Sequence, residues 1–183
     1  MPEIRPAQPD DHDAVAALWR QYAPGVSCTK SDFLADLPTC TVAVENDVVV
    51  GFCLGHHASG AWLECRVQPA PDTDWDCSYL ETLVVDEQRR GNGIGTALLE
   101  DFSARARAAG STWLLLYPKR GDGRPLATDD LLRFYTRAGL GLLEPRENHL
   151  RTKPWMMGRP LVTRPPHVFA RSSVAVEELA QAA

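Results

Sequence analysis

A chain of 183 residues, 44% of them apolar, is the size of one compact domain and has the side chains for one core. A formal net charge of −5 argues against broad nucleic-acid binding. No run approaches the roughly 18 apolar residues of a membrane helix, and the opening MPEIRPAQPDD lacks the basic-then-apolar pattern of an export signal; the expectation is a cytoplasmic protein binding neither nucleic acid nor membrane.

In chain order, residues 3 to 7 read as a short extended segment. Asp10 is placed to cap a helix whose apolar Val15, Leu18, Trp19 and Tyr22 fall on one face, with Pro24 and Gly25 ending it. A second, short helix is expected from about Ser31, with Phe33, Leu34 and Leu37 on one side and Pro38 as the stop. Two β-branched runs follow, residues 39 to 45 and 48 to 55. Asn46-Asp47 between them predicts a hairpin with a two-residue turn.

Residues 60 to 76 carry a weaker signal: Trp62, Glu64 and Arg66 extend or begin a strand, and Pro69, Pro71, Asp72, Asp74 and Asp76 mark an exposed acidic loop. Residues 79 to 85 form a clear strand, followed by a glycine-rich turn and a helix of about fifteen residues. In that helix Ile94, Leu98, Phe102 and Ala106 share a face, and Gly110 ends it. The apolar run at 112 to 117 predicts a strand covered on both faces. A further helix, capped by Thr128 or Asp129, carries Leu131, Leu132, Phe134, Tyr135 and Ala138 and stops at Gly139. One or two terminal strands are expected within 140 to 151. The domain is drawn as 1 to 157, and residues 158 to 183 as a tail with a short helix at 173 to 183, too short for its own core.

Five cysteines (Cys28, Cys40, Cys53, Cys65, Cys77) stand about a dozen residues apart with no C-x-x-C pair and no histidine at zinc-ligand spacing, so reduced thiols are expected and no metal. Charge is uneven: residues 1 to 80 hold four basic and twelve acidic side chains, residues 81 to 183 fifteen and twelve. That distribution suits an anionic cofactor held by the second half and a cationic substrate met by the first.

The segment Leu83-Val84-Val85-Asp86-Glu87-Gln88-Arg89-Arg90-Gly91-Asn92-Gly93-Ile94-Gly95-Thr96 carries most of the chemistry. Glycines at 91, 93 and 95 leave backbone N–H groups uncovered where a strand gives way to a helix N-terminus, the arrangement that holds a phosphate. A dinucleotide fingerprint would need glycine at Thr96, and a phosphate loop of the nucleotide triphosphatases would need G-K-[ST]; both are missing. The segment resembles the acyl-CoA pyrophosphate motif of the GNAT superfamily of N-acetyltransferases, Q/R-x-x-G-x-G/A, here Gln88-Arg89-Arg90-Gly91-Asn92-Gly93. A second stretch, Arg133-Phe134-Tyr135-Thr136-Arg137-Ala138-Gly139-Leu140, looks like that family's F-Y-x-x-x-G-[FL] segment. At Thr128, where family members often carry asparagine, the chain departs from the pattern.

The resemblance implies an α/β (α+β) fold over roughly residues 3 to 152, with a mixed, mostly antiparallel central sheet flanked by helices. It implies acetyl-CoA as cosubstrate, its pyrophosphate on the amides of Gln88, Arg89, Arg90, Gly91, Asn92, Gly93, Ile94, Gly95 and Thr96. The backbone of Leu83, Val84 and Val85 would pair with the pantetheine arm. Arg89 and Arg90 would add positive charge, or stand as a solvated basic pair. Tyr135 sits where family members place a general acid for the departing thiolate, although a tyrosine on an apolar helix face is by itself packing. An ammonium has no lone pair, so the acceptor must lose a proton. Glu81 is the candidate base, two residues before Leu83 and so expected on the same strand face, at a place where some relatives carry a carboxylate. His56 and His57 end a strand, where only one can face a cleft.

The resulting expectation is an N-acetyltransferase acting on a primary amine of a small cationic molecule by direct attack. A protein N-terminus or lysine is the alternative acceptor, and a non-catalytic acyl-CoA-binding module is the alternative of another class. Oligomeric state stays open, a homodimer among the alternatives.

Overall fold

The computed structural model describes residues 2–23, 28–57, 77–118, 129–142 and 157–162. Seven strands form one sheet: β1 (Glu3–Pro6), β2 (Thr41–Glu45), β3 (Val48–His56), β4 (Cys77–Val85), β5 (Trp113–Leu116), β6 (Gly141–Leu142) and β7 (Met157–Pro160). Their spatial order is β1-β2-β3-β4-β5-β7-β6. Every neighbouring pair is antiparallel except β4 and β5. Among the described residues, four helices flank it: α1 (His12–Tyr22), α2 (Lys30–Asp36), α3 (Ile94–Ala108) and α4 (Asp129–Arg137). The fold is thus the mixed, mostly antiparallel one expected from the sequence.

Local chemistry explains several element ends. Asn46 and Asp47 adopt φ of 51° and 61°, the pair of positive values that a type I′ turn requires, and so β2 and β3 close as a tight hairpin. Thr29 and Asp32 cap α2 reciprocally: the Thr29 hydroxyl oxygen accepts the Asp32 N–H and the Asp32 carboxylate accepts the Thr29 N–H, both at 3.2 Å. The expected start at Ser31 moves one residue earlier, to Lys30, for this reason. Asp10 does not cap α1. Residues Pro9–Asp11 form a 3₁₀ turn instead, and Asp11 turns its carboxylate back onto the Gln8 N–H (2.7 Å) and the Arg5 guanidinium (2.8 and 2.9 Å). At the end of α4, Gly139 has φ of 81°, its N–H reaches the Thr136 carbonyl and the Leu140 N–H reaches that of Tyr135, a Schellman closure.

The sheet divides two cores. On one side Leu98, Leu99, Phe102 and Ala106 of α3, with Tyr135 of α4, pack on Cys53, Leu80, Leu114 and Leu116. On the other, Val15 and Leu18 of α1 and Phe33 of α2 pack on Val42, Phe52 and Leu54. Each fully buried leucine contributes about 1.5–3 kcal/mol of burial free energy. Cys40, Cys53 and Cys77 are buried as reduced thiols.

The last strand crosses the boundary drawn from the sequence after residue 157. Residues 158–160 lie inside the sheet, paired to β5 from Pro160 opposite Trp113 to Met157 opposite Leu116. Nothing in Met-Gly-Arg-Pro alternates. It is extended because β5 has an edge to satisfy and because Arg159 spans from β7 to the Ala138 carbonyl, Glu100 and Ser103. The expectations for Pro24 and Gly25, the acidic loop at 60–76, Cys65, Thr128, a strand within 143–151 and a helix at 173–183 lie outside the described residues.

Candidate active site

β5 pairs with β4 only along the first four residues of β4, Cys77 opposite Trp113 to Leu80 opposite Leu116. From residue 81 onward β4 is paired to β3 alone, and among the described residues no strand covers its other edge. Leu83 and Val85 point into the α3 core and Val84 into the α1 core, so their side chains fix the strand and leave its backbone edge bare. Such a bare edge accepts an extended, amide-containing ligand as it would a strand.

This edge runs directly into the glycine loop. Glu87–Arg89 form a 3₁₀ turn, with the Asp86 carboxylate accepting the Gln88 N–H at 2.9 Å. Gly91 and Gly93 then adopt φ of 81° and 79°, and a Cβ at either would meet nothing within 4 Å. The glycines therefore serve backbone conformation and access, not packing. Among the described residues, no protein group accepts the N–H groups of Gly91, Asn92, Gly93, Ile94, Gly95 or Thr96, the last three being the uncapped first turn of α3. Together they form an electropositive amide cradle of the kind that binds phosphate.

The side chains of Arg89 and Arg90 are directed elsewhere. Arg89 pairs with Glu45 at 2.8 Å. Arg90 donates from Nε to the Val85 carbonyl at 3.2 Å and lies 4.8 Å above the Tyr22 ring.

α4 closes the second wall. Phe134 comes against Gly95, where a Cβ would stand 3.4 Å from the ring, and Tyr135 is buried in the α3 core. A cleft of about 340 Å³ between α3 and α4 is lined by Thr96, Asp130, Arg133, Phe134, Arg137 and Ala138. Burial pushes the Tyr135 phenol well above its ordinary pKa, with Cys53 and Tyr79 adding to the effect. That burial favours the protonated phenol. Burial likewise pushes the Cys53 thiol up.

Glu81 occupies a β-bulge. Leu54 opposes Thr82 and Gly55 opposes Leu80, which leaves Glu81 as the extra residue. Leu80 and Leu83 consequently enter the same core although three residues apart. Regular alternation had put Glu81 on the face of Leu83; the bulge overturns that, and Glu81 meets His56 at 3.2 Å. Asp36 at the end of α2 feels both groups: burial raises its pKa, Glu81 raises it further and His56 lowers it. His57 turns to the opposite side, its Nδ1 2.9 Å from Ser78 Oγ and its ring 4.5 Å from that of Phe102. Burial, then Arg105, lowers the His57 pKa, which favours the neutral ring.

Sequence reasoning did not bring out Asp36 or the His56–Glu81 pairing, and it read Tyr22 only as part of the apolar face of α1. The spacing of Arg133 and Arg137, one helical turn apart beside the motif tyrosine, was the available signal for the cleft.

The fold is shared with solved structures of known proteins. The structure is similar to that of Ard1 from Thermoplasma volcanium (TM-score 0.61, 20% identity, 87% of this chain and 97% of that one). It is also similar to PaiA N-acetyltransferase from Thermoplasma acidophilum in complex with coenzyme A (TM-score 0.61, 13% identity, 87% and 99%). A third likeness is to the ribosomal-protein-S18-alanine N-acetyltransferase from Escherichia coli (TM-score 0.60, 16% identity, 92% and 99%). No curated protein sequence gives a significant match. Residues 3–139, which hold the bare strand edge, the amide cradle and the tyrosine helix, match the model of the Acetyltransferase (GNAT) family, and the chain belongs to that family.

Proposed function

We propose that this protein transfers an acetyl group from acetyl-CoA to a primary amine of a small cationic molecule by direct attack. The observation that carries the reading is the continuity of the bare β4 edge with the amide cradle at 91–96. The pantetheine arm, with two amides, fits the edge beside Leu83, Val84 and Val85, and the pyrophosphate fits the cradle, so that the thioester comes to lie near the start of the bare stretch.

There Glu81, paired with His56, takes a proton from the acceptor ammonium, directly or through water. The free amine attacks the thioester carbonyl carbon; the C–S bond breaks, the departing thiolate takes the Tyr135 proton, and the excess proton left on the new amide nitrogen passes through water to the phenolate, which restores Tyr135. A phenol with a raised pKa is a weak acid, but a thiolate released in the same dry surroundings is a stronger base than in water.

A cationic acceptor is supported by Asp36 and Glu81 on the acceptor side and by the surplus of eight acidic over basic side chains in residues 1 to 80. The buried, reduced Cys40 and Cys53 and the proposed use of acetyl-CoA support a cytoplasmic setting.

The test is incubation with acetyl-CoA and a panel of polyamines, amino sugars, N-terminal peptides and lysine peptides, with free thiol as readout. Thiol release with small amines supports the reading. Release with peptides alone moves the acceptor to protein, and CoA binding without release for any acceptor sinks the catalytic reading.

A further inference from the structure

Both arginines of the loop have protein partners drawn from elements outside it. Arg89 Nη1 lies 2.8 Å from Glu45 Oε2, at the end of β2. Arg90 lies over the ring of Tyr22, the last residue of α1, and its Nε holds the carbonyl of Val85 at 3.2 Å. The Tyr22 hydroxyl oxygen accepts the Glu87 N–H at 2.6 Å, so the same ring grips the loop twice. Tyr22, Glu87, Arg90 and Val85 close a loop of contacts around the junction of β4 and the 3₁₀ turn. Asn92 Nδ2 adds a longer contact to the Arg89 carbonyl, 3.4 Å.

A carboxylate at 2.8 Å from a guanidinium competes with a phosphate for it; it does not assist. A side chain that shapes the backbone, by contrast, gains from a fixed counter-ion. We infer that Arg89 and Arg90 act as anchors, not as phosphate ligands, and that Glu45 and Tyr22 are positioning residues holding the amide cradle in its binding shape before CoA arrives. The cradle then binds through N–H groups already aimed, without the ordering cost of a loose loop. Because Tyr22 ends α1, whose packing on Phe52 and Leu54 reaches the same sheet face as His56, the anchor also ties the cofactor loop to the acceptor side of the sheet. This inference rests on the reading that the cradle holds the pyrophosphate.

The experiment is calorimetric titration of CoA into the wild-type protein, Glu45→Gln, Tyr22→Phe, Arg89→Met and the double variant Glu45→Gln/Arg89→Met, with apo thermal unfolding recorded for each. The two hypotheses for Arg89 give opposite signs. If Arg89 is an anchor, loss of a partly exposed ion pair in Glu45→Gln weakens CoA binding about two- to fivefold. If Arg89 is a phosphate ligand, removing its competitor tightens binding.

Tyr22→Phe keeps the ring under Arg90 and loses one hydrogen bond, for a weakening of about three- to tenfold. In the Arg89→Met background Glu45→Gln should have no further effect, a coupling that general destabilisation would not produce.

Tighter binding by Glu45→Gln, unchanged binding by Glu45→Gln or by Tyr22→Phe, or full additivity in the double variant overturns the inference. Absence of CoA binding by the wild type overturns instead the cradle reading beneath it.

Discussion

Replacement of Gly93 by alanine separates the two demands placed on the loop. Gly93 is the N-cap of α3 with φ 79° and ψ −1°, and a Cβ there meets nothing within 4 Å, so the apo protein is penalised through the backbone alone. An L-residue held in the left-handed region costs roughly 1–2 kcal/mol. For a chain of this size each kcal/mol moves the melting temperature by about 2–4 °C, so the apo variant should melt about 2–8 °C lower. CoA at a hundredfold excess over its Kd adds about 2.7 kcal/mol to the wild type, a rise of about 5–11 °C. In the variant the new methyl stands among the amides that face the pyrophosphate, and most of that rise should vanish.

Gly93→Asn sharpens the test, since asparagine tolerates the left-handed conformation but still places a side chain in the cradle. It should recover much of the apo melting temperature and little of the CoA-dependent rise. Scanning fluorimetry with and without CoA reads both. An apo Gly93→Ala protein that melts with the wild type refutes the strained cap, and a full CoA-dependent rise in either variant refutes the cradle.

Three other outcomes are expected. Tyr135→Phe should lower kcat by about 10²–10⁴-fold with little change in the KM for acetyl-CoA, and an unchanged turnover number rules out Tyr135 as the acid. Glu81→Gln should move the acidic limb of the pH–rate profile; an identical profile removes Glu81 as base. Asp11→Asn should cost about 1.5–3 kcal/mol near neutrality, the worth of hydrogen bonds to a charged partner. The Arg5 hydrogen bonds, followed by a backbone hydrogen bond from Gln8, hold the Asp11 pKa below its ordinary value against the opposing effect of burial. Its contribution is therefore fully present above the unfolded value of about 4 and is lost as pH falls through the lower folded value. Urea unfolding of wild type and variant across that window should show the gap closing, and a gap constant down to about pH 2 would contradict the linkage.

Signals confined to a few consecutive residues were legible before any fold was known. Asn46-Asp47 specified a two-residue turn because both residues tolerate positive φ, Gly110 and Gly139 marked helix ends, and the face of Ile94, Leu98, Phe102 and Ala106 specified a helix of the observed fifteen residues. The glycines at 91, 93 and 95 likewise announced a loop with open backbone amides, since access to them depends on the loop's own missing side chains.

Where the outcome depended on a partner far along the chain, the sequence had no means of stating it. The bulge that turns Glu81 away from Leu83 and toward His56 is a property of the β3–β4 register, in which Leu54 and Gly55 skip one residue of β4. Met157–Pro160 is a strand because β5 offers an unpaired edge, and the side chains of Arg89 and Arg90 are engaged by Glu45 and Tyr22, residues 44 and more positions away. Local backbone preference determined the shape of the glycine loop; long-range hydrogen bonding and charge pairing determined where the side chains around it point.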